Sequence, residues 1–253
     1  MKRLVIVVLA SILSMTVFAE GYQVNLLSTK QTGMGHVGTG MKLGAESMHF
    51  NPAGLVFLRT NMDFSLGISA IMAKAKYSYD GYSAKTDSPV GTPLYAYAGF
   101  KIYDNLAAGI SLTTPYGNSL KWPKNWAGAG LIQDISLKSY VIQPTLSYKI
   151  TDRLSIGVGL QLAWGNVNLS RALMGASDLQ GIGTKFESLL PKLAGVPSSI
   201  IPDEDKKAMQ EMVALMKGTE VPPAYARLEG NAHMRVGFNV GIMYDICDKV
   251  TVG

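Results

Sequence analysis

Residues Leu154 to Gly165, LSIGVGLQLAWG, alternate without exception between two kinds of side chain. Leu154, Ile156, Val158, Leu160, Leu162 and Trp164 share one face, and Ser155, Gly157, Gly159, Gln161, Ala163 and Gly165 share the other. That is the period of an extended strand with one apolar face and one small or polar face. Strands of soluble sandwiches also alternate, but they usually run for about five or six residues. Twelve residues in strict alternation fit a strand tilted across a bilayer, which needs about 9–11. The pattern returns at 62–72, 94–102, 106–114, 139–150 and 233–246, and Val250-Thr251-Val252 starts it once more. Tyr140, Tyr148, Trp164 and Tyr244 stand near the ends of the apolar faces, as aromatics do at membrane interfaces.

Composition closes the other route through a membrane. Hydrophobic residues make up 47% and charged residues 16%, with mean hydropathy +0.16. Yet beyond the N-terminus no stretch approaches the roughly 18 apolar residues of a spanning helix. An apolar chain without such a helix fits a transmembrane β-barrel, which distributes its lipid-facing residues over alternating strands. Tyr103-Asp104-Asn105, Thr151-Asp152-Arg153 and Cys247-Asp248-Lys249 read as tight turns. Long links lie at 79–93, 115–134 and 170–230, so short turns are expected on the periplasmic side and long loops outside. In the third link, Asp203–Lys217 has acids at its start and Gly218 after its end, as a helix would. Ala208, Met209, Met212, Val213, Leu215 and Met216 form its apolar stripe, and 185–194 reads as a second short helix interrupted by Pro191. The stripe either packs the loop on the rim or offers an adaptable apolar platform.

The N-terminus supplies the compartment. Lys2 and Arg3, the apolar run Leu4–Leu13 and the small-x-small site Val17-Phe18-Ala19 form an export leader, so the mature chain is expected to begin at Glu20. The apolar run is too short for a membrane anchor. The only cysteine is Cys247, which leaves neither a lipid-attachment site after the leader nor an internal disulfide. Losing Lys2 and Arg3 lowers the formal charge from +5 to +3. With no basic block, nucleic acid is not an expected partner.

Gly33, Gly35 and Gly38 have the G-x-G-x-x-G spacing of a dinucleotide loop. Such a loop must follow a buried strand and open a helix. Polar STKQT precedes Gly33, and Gly40 and Gly44 follow it, so the glycines are read as bends in a segment threading a confined space. His36, His49 and His233 form neither a Ser–His pair nor a metal-ligand cluster, so no catalytic residue, metal or cofactor is expected.

Gly21-Tyr22-Gln23-Val24-Asn25, the Gly-rich run and Asn51-Pro52-Ala53-Gly54-Leu55 just before the first strand resemble the FadL/TodX family of outer-membrane transporters for long-chain fatty acids and hydrocarbons. Thr114-Pro115-Tyr116-Gly117, Trp126-Ala127-Gly128 and the run from Lys149 to Ser170 resemble family segments too. The resemblance implies an all-β fold, a transmembrane antiparallel β-barrel with an N-terminal hatch. Residues 1–19 are then the leader, 20–60 the hatch, and 61–253 the first part of the barrel, with a partly helical extracellular loop at about 170–230. A family barrel has fourteen strands, so about six and a start make an incomplete one. The implied mechanism is passive: an apolar molecule lands on the loops, enters the barrel, and leaves past a hatch through a lateral gap at a kinked strand. Asn51, Pro52 and Ala53, with Gly33, Gly35 and Gly38, are the expected gating residues. Tyr95, Tyr97, His233, Arg235, Met209, Met212 and Met216 are the expected ligand contacts. Arg235 is chosen because a carboxylate in an apolar conduit needs a cation, with pairing to Asp63 or hatch carbonyls as the competing role. The expected partners are a long-chain fatty acid or hydrophobic small molecule, outer-membrane lipid and lipopolysaccharide, with the chain a monomer in the bacterial outer membrane. A structural or adhesive barrel without transport is the alternative.

Overall fold

A computed structural model of the chain describes residues 23–220 and 224–253. The leader and the Glu20 start lie outside the described residues. After an extended entry come α1 (Thr29–Gly33), a 3-10 turn (Gly44–Glu46), α2 (Ser47–Phe50) and a 3-10 helix (Pro52–Phe57). Then follow β1 (Met62–Ile68), β2 (Lys76–Tyr79), β3 (Tyr82–Lys85), β4 (Leu94–Tyr103), β5 (Leu106–Thr113), β6 (Gly117–Lys121), β7 (Asp134–Lys149) and β8 (Leu154–Ala172). Helices α3 (Ala176–Glu187), α4 (Leu190–Ala194) and α5 (Asp203–Lys217) separate β8 from β9 (Tyr225–Cys247) and β10 (Val250–Val252).

One antiparallel sheet runs β1-β4-β5-β7-β8-β9-β10, with β6 added beside β7. Chain neighbours pair with chain neighbours, through turns at 104–105, 150–153 and 248–249, at the positions expected. Among the described residues the sheet does not close, and β1 and β10 are its edges.

The two faces of the sheet invert the order of a soluble protein. Ser111, Gln143, Thr145, Ser147 and Ser155 are buried, with Gln143 only 3% exposed. Leu66, Ile110, Leu146, Val158, Val236 and Phe238 point away from them and are exposed, Phe238 at 79%. In water this arrangement is unfavourable; in lipid the apolar face is the solvated one. Tyr140 and Trp164 stack on that outer face with ring centroids 5.8 Å apart. No described helix is long and apolar enough to cross a membrane.

The strands outrun their lipid-facing pattern. β7 begins five residues before the expected start at Ser139, β8 has 19 residues and β9 has 23. At about 3.3 Å per residue, β8 alone is roughly 60 Å long, more than a tilted crossing requires. Above Tyr140 and Trp164 the alternation continues with its phase reversed, Lys138, Ser136, Asn166 and Asn168 facing outward and Leu137, Ile135, Val167 and Leu169 inward, so the lipid-facing pattern ends although the pairing continues. Two elements stand where long links were expected. The hairpin β2–β3 turns at Asp80 and Gly81, both with positive φ, a D-G signal that was there to be read. The polar β6 follows a Pro that hides it. Helix α3 starts nine residues before the expected Lys185, its period diluted by Gly181 and Gly183. Pro191 starts α4 rather than interrupting a helix, a position where its missing N–H costs nothing.

Candidate functional site

Residues 23–58 lie against the inner face of the sheet, and the wall carries gaps and donors shaped to them. Asn51 caps the 3-10 helix by accepting from the Ala53 N–H (3.1 Å). Its amide donates to the Thr39 carbonyl (2.9 Å) and to the Ile242 carbonyl of β9 (3.0 Å). The Ala53 carbonyl accepts from Ser147 (3.1 Å) and Ser155 (2.9 Å), and the Ser147 hydroxyl accepts from the Val56 N–H (3.2 Å). A Cβ at Gly157 would overlap the backbone of Pro52 and Ala53, and one at Gly241 would overlap Asn51. Side chains have been removed from the wall where Asn51-Pro52-Ala53 touches it, and hydroxyls placed where its carbonyl needs donors. Next to it, Gln143 donates to the Met48 carbonyl (2.6 Å), Gln161 donates to Gln143 (3.1 Å), and Asn239 reaches the same Met48 carbonyl (3.3 Å).

A second set of contacts holds the other end of the segment. The Glu46 carboxylate, 3% exposed, accepts from Ser28 (2.8 Å) and Ser65 (2.6 Å). The Tyr95 hydroxyl accepts from the Thr29 N–H (3.1 Å), and the Tyr97 hydroxyl donates to the Leu27 carbonyl (2.9 Å). Both tyrosines are buried and face inward as expected, but their polar ends are taken up by the segment. Asp63 accepts from the Ala45 N–H (2.9 Å). At the tight-turn end, Lys42 bonds Asp245 (2.7 Å) and lies 4.1 Å from the centre of the Phe57 ring.

Of the three glycines at the bend, Gly38 alone is confined: a Cβ there would run into the Phe50 ring. Gly35 has φ +73° in open space, and Gly33 ends α1 with open space around it. Among the described residues no strand precedes them and Gly33 ends a helix rather than opening one, which is not the geometry of a nucleotide loop. Phe50 stands between His36 and His49, with centroid distances of 4.9 and 5.0 Å. Burial, and then the nearby His36, push the His49 imidazole down to about 4.

The wall itself is broken beside this segment. β5 ends at Thr113, opposite Val141 of β7; pairing resumes at Gly117, opposite Lys138. Four residues on one strand thus face three on the other, a one-residue excess at Thr114–Tyr116. On the other side, β4 contacts Thr114 and then departs. Past Ile68, β1 keeps one hydrogen bond from the Ser69 N–H to the Pro93 carbonyl (2.9 Å) and one bridge, Ile71 to Gly91. Between 89–94 and 114–119 the wall is unzipped over a cavity of about 230 Å³, whose apolar lining includes Ile71, Pro93, Leu94, Tyr116, Leu137 and Tyr140. Val24 lines it too: its N–H donates to the Pro115 carbonyl (2.8 Å), and Gln23 bridges to Tyr116. The N-terminal segment therefore occupies the strand position that the wall leaves vacant.

The remaining expected contacts lie elsewhere. Met209, Met212 and Leu215 are exposed on α5, while Val213 is buried. The apolar stripe is split, with one part packing inward and the rest facing solvent. Hydrogen bonds from Ser198 (2.8 Å) and Lys206 (3.1 Å) hold the Asp203 carboxyl at the start of α5 below the ordinary range. Arg235 faces inward opposite Ala163, is exposed, and makes no ion pair among the described residues. His233 does not share its regular register, because an extra residue in β9 opposite Trp164 shifts the pairing there. Sequence reasoning missed Gln143, Gln161, Asn239, Ser147 and Ser155 as the residues that grip the segment. Their only signal was that the inward face is hydrogen-bonding rather than inert.

The description of one family, "Outer membrane protein transport protein (OMPP1/FadL/TodX)", matches residues 10–253. The chain belongs to this FadL/TodX family. It is accordingly a protein of the outer membrane, and its open antiparallel sheet is part of a transmembrane β-barrel. The fold is similar to the crystal structure of a Pseudomonas aeruginosa FadL homologue, with TM-score 0.59 and 17% identity over 91% of this chain and 51% of that one. It is also similar to the P. putida toluene transporter TodX, with TM-score 0.55 and 20% identity over 92% of this chain and 54% of that one. A third likeness is to the CymD monoaromatic hydrocarbon channel, with TM-score 0.51 and 18% identity over 89% and 50%. The chain spans about half the length of each, and at these identities the likeness is one of fold. No curated protein sequence matches the chain.

Proposed function

We propose that this chain is the N-terminal part of a passive channel that carries small hydrophobic molecules, long-chain fatty acids or hydrocarbons, across the outer membrane. In this reading residues 20–60 are a hatch and the long-connection end of the sheet faces outward. The wall break at Thr114–Tyr116 is the lateral exit. The observation that carries the reading is the apolar cavity at that break, sealed by Val24 and Gln23. A greasy molecule reaching it stays out of water, which is what an apolar conduit contributes. Asn51-Pro52-Ala53 serves as the hinge, its carbonyl held by two wall hydroxyls that a shifted hatch would release. Gly35 and Gly38 give the hatch its bends, and Gly33 closes α1. Met209, Met212 and Met216 belong to the outer platform where substrate first lands. Arg235, with His233 nearby, is the inward cation available to a carboxylate, and Tyr95 and Tyr97 anchor the hatch. The protein works as a monomer surrounded by membrane lipid and lipopolysaccharide.

The test is a reversible lock. Gln23 and Tyr116 are bridge partners, so Gln23→Cys with Tyr116→Cys in a Cys247→Ser background satisfies disulfide geometry. Uptake of labelled toluene and of a long-chain fatty acid by cells carrying the full-length protein should fall on oxidation and return with reductant. Equal uptake in both states would sink the lateral exit. A loss for one substrate alone would assign the channel to that class.

A further inference from the structure

Above the Tyr140–Trp164 pair, the outer face of the wall is not apolar, and its polar residues are ordered by depth. Even-numbered residues of β7 and β8 face outward, as do their partners on β9. The first rung above the aromatics is Lys138, Asn166 and Asn231. The second is Ser136, Asn168 and Glu229, and the third is Asp134, Ser170 and Arg227, with Lys121 of β6 opposite Asp134. The first two rungs enclose a cleft of about 460 Å³, and the third borders another of about 470 Å³ that Trp122, Lys124 and Tyr225 complete. Glu229 is engaged by Arg227 (2.5 Å). Lys121, Lys124 and Lys138 make no ion pair among the described residues.

We propose that this face binds the phosphorylated disaccharide headgroup of lipid A in the outer leaflet. The inference rests on the outward orientation of the long-connection end given above. Stacked interfacial aromatics mark where hydrocarbon gives way to headgroups. The rung immediately above them carries one unpaired cation and two amides, and no acid. Lys138 there meets a phosphate as a charge-assisted partner. Asn166, Asn168, Asn231 and Ser136 supply the donors and acceptors that sugar hydroxyls and amides need. Two rungs further out, about 13 Å along the strand, the free Lys121 and Lys124 provide a second cationic point beside Asp134 and Asp87, with Arg227 held by Glu229. A headgroup with phosphates at both ends of a disaccharide presents charge at two such points, whereas a single-phosphate phospholipid presents it at one. The strand extensions thereby acquire a use that crossing the hydrocarbon does not give them.

The test uses protein extracted from outer membranes in detergent and titrated with bisphosphorylated lipid A in mixed micelles, alongside dephosphorylated lipid A and phosphatidylglycerol. The wild type should prefer bisphosphorylated lipid A over both. Lys138→Gln should weaken that binding about tenfold, the scale of one charge-assisted contact. Lys121→Gln with Lys124→Gln and Lys138→Gln should erase the preference. Arg153→Gln, exposed at the tight-turn end, should change nothing. Lys138 also borders the wall break, so transport is checked in Lys121→Gln with Lys124→Gln, where toluene uptake should stay normal while the lipid A preference weakens, and a failure of transport and a failure of this site remain separate results. A triple variant that keeps the wild-type preference would overturn the site. So would a wild type indifferent to the phosphates, or an Arg153→Gln loss matching that of Lys138→Gln.

Discussion

The inner segment and the helical loop between β8 and β9 are both irregular insertions on one sheet, and they are held by opposite means. Residues 39–58 sit in a polar socket, where Asn51, Ser147, Ser155, Gln143 and Asn239 satisfy individual carbonyls and the wall loses side chains at Gly157 and Gly241. Helices α3 to α5 are joined to one another by the buried Val213 and by the Lys217–Glu187 ion pair (2.7 Å), with Met212 and Leu215 left in solvent. The first region is specified position by position. The second tolerates change because few of its groups are committed. The proposed function accounts for the contrast: a hatch that releases and reseats would need directional bonds with a defined register, and a landing surface for varied apolar molecules would need only adaptable exposed side chains.

The strongest way to break this contrast is Gly157→Val. The new side chain would occupy the backbone position of Pro52 and Ala53, and overpacking of this kind costs about 1–3 kcal/mol, rising further where backbone must move. The segment around Asn51 should become protease-sensitive while the barrel stays heat-modifiable. An equally protected segment would mean the socket is loose.

Acid should loosen the same region next. His49 is held neutral, with a folded value of about 4 against an ordinary 6.5. Above pH 6.5 both states are neutral and nothing is lost. Between 6.5 and 4 the released segment takes a proton that the seated one refuses, so stability falls as pH falls, by roughly 3 kcal/mol in all. Protease protection measured from pH 7 to 4 should decline in the wild type and much less in His49→Phe. Identical profiles would remove His49 from the account.

Ser147→Ala with Ser155→Ala should cost about 3 kcal/mol, near 1 for each of the three lost hydrogen bonds. Segment protection is again the measure, and the pH profile should keep its shape. The smallest effect belongs to the loop. A Cβ at Gly181 in α3 meets nothing within 4 Å, so Gly181→Ala should stabilise that helix by about 0.5–1 kcal/mol. Helicity of the loop should rise slightly with no change in segment protection. A change in protection would show the two regions to be coupled.

The fold was legible where lipid imposed a pattern. Leu154 to Trp164, Met234 to Ile246 and Met62 to Ile68 announce their faces because each outward residue must be apolar and each inward one must fit or bond the segment. The three tight turns and α5 were legible from their local chemistry. The socket was not, because Ser147 and Ser155 read simply as the small half of an alternation. Their meaning depends on Ala53, about a hundred residues away in the chain.

The sequence by itself determined that this chain crosses a membrane as strands, since a two-residue period with one lipid-facing side is a property of each strand alone. It also determined where the turns fall and that an irregular segment precedes the first strand. Only the tertiary structure decided how far the strands continue past the lipid, because there the polar side faces outward and the apolar side inward, a reversal whose extent is set by the pairing between strands. Tertiary structure also decided that the wall opens at Thr114–Tyr116, and that Gln23 and Val24 fill the opening. A break in a ladder is a relation between strands, and no single stretch of residues carries it.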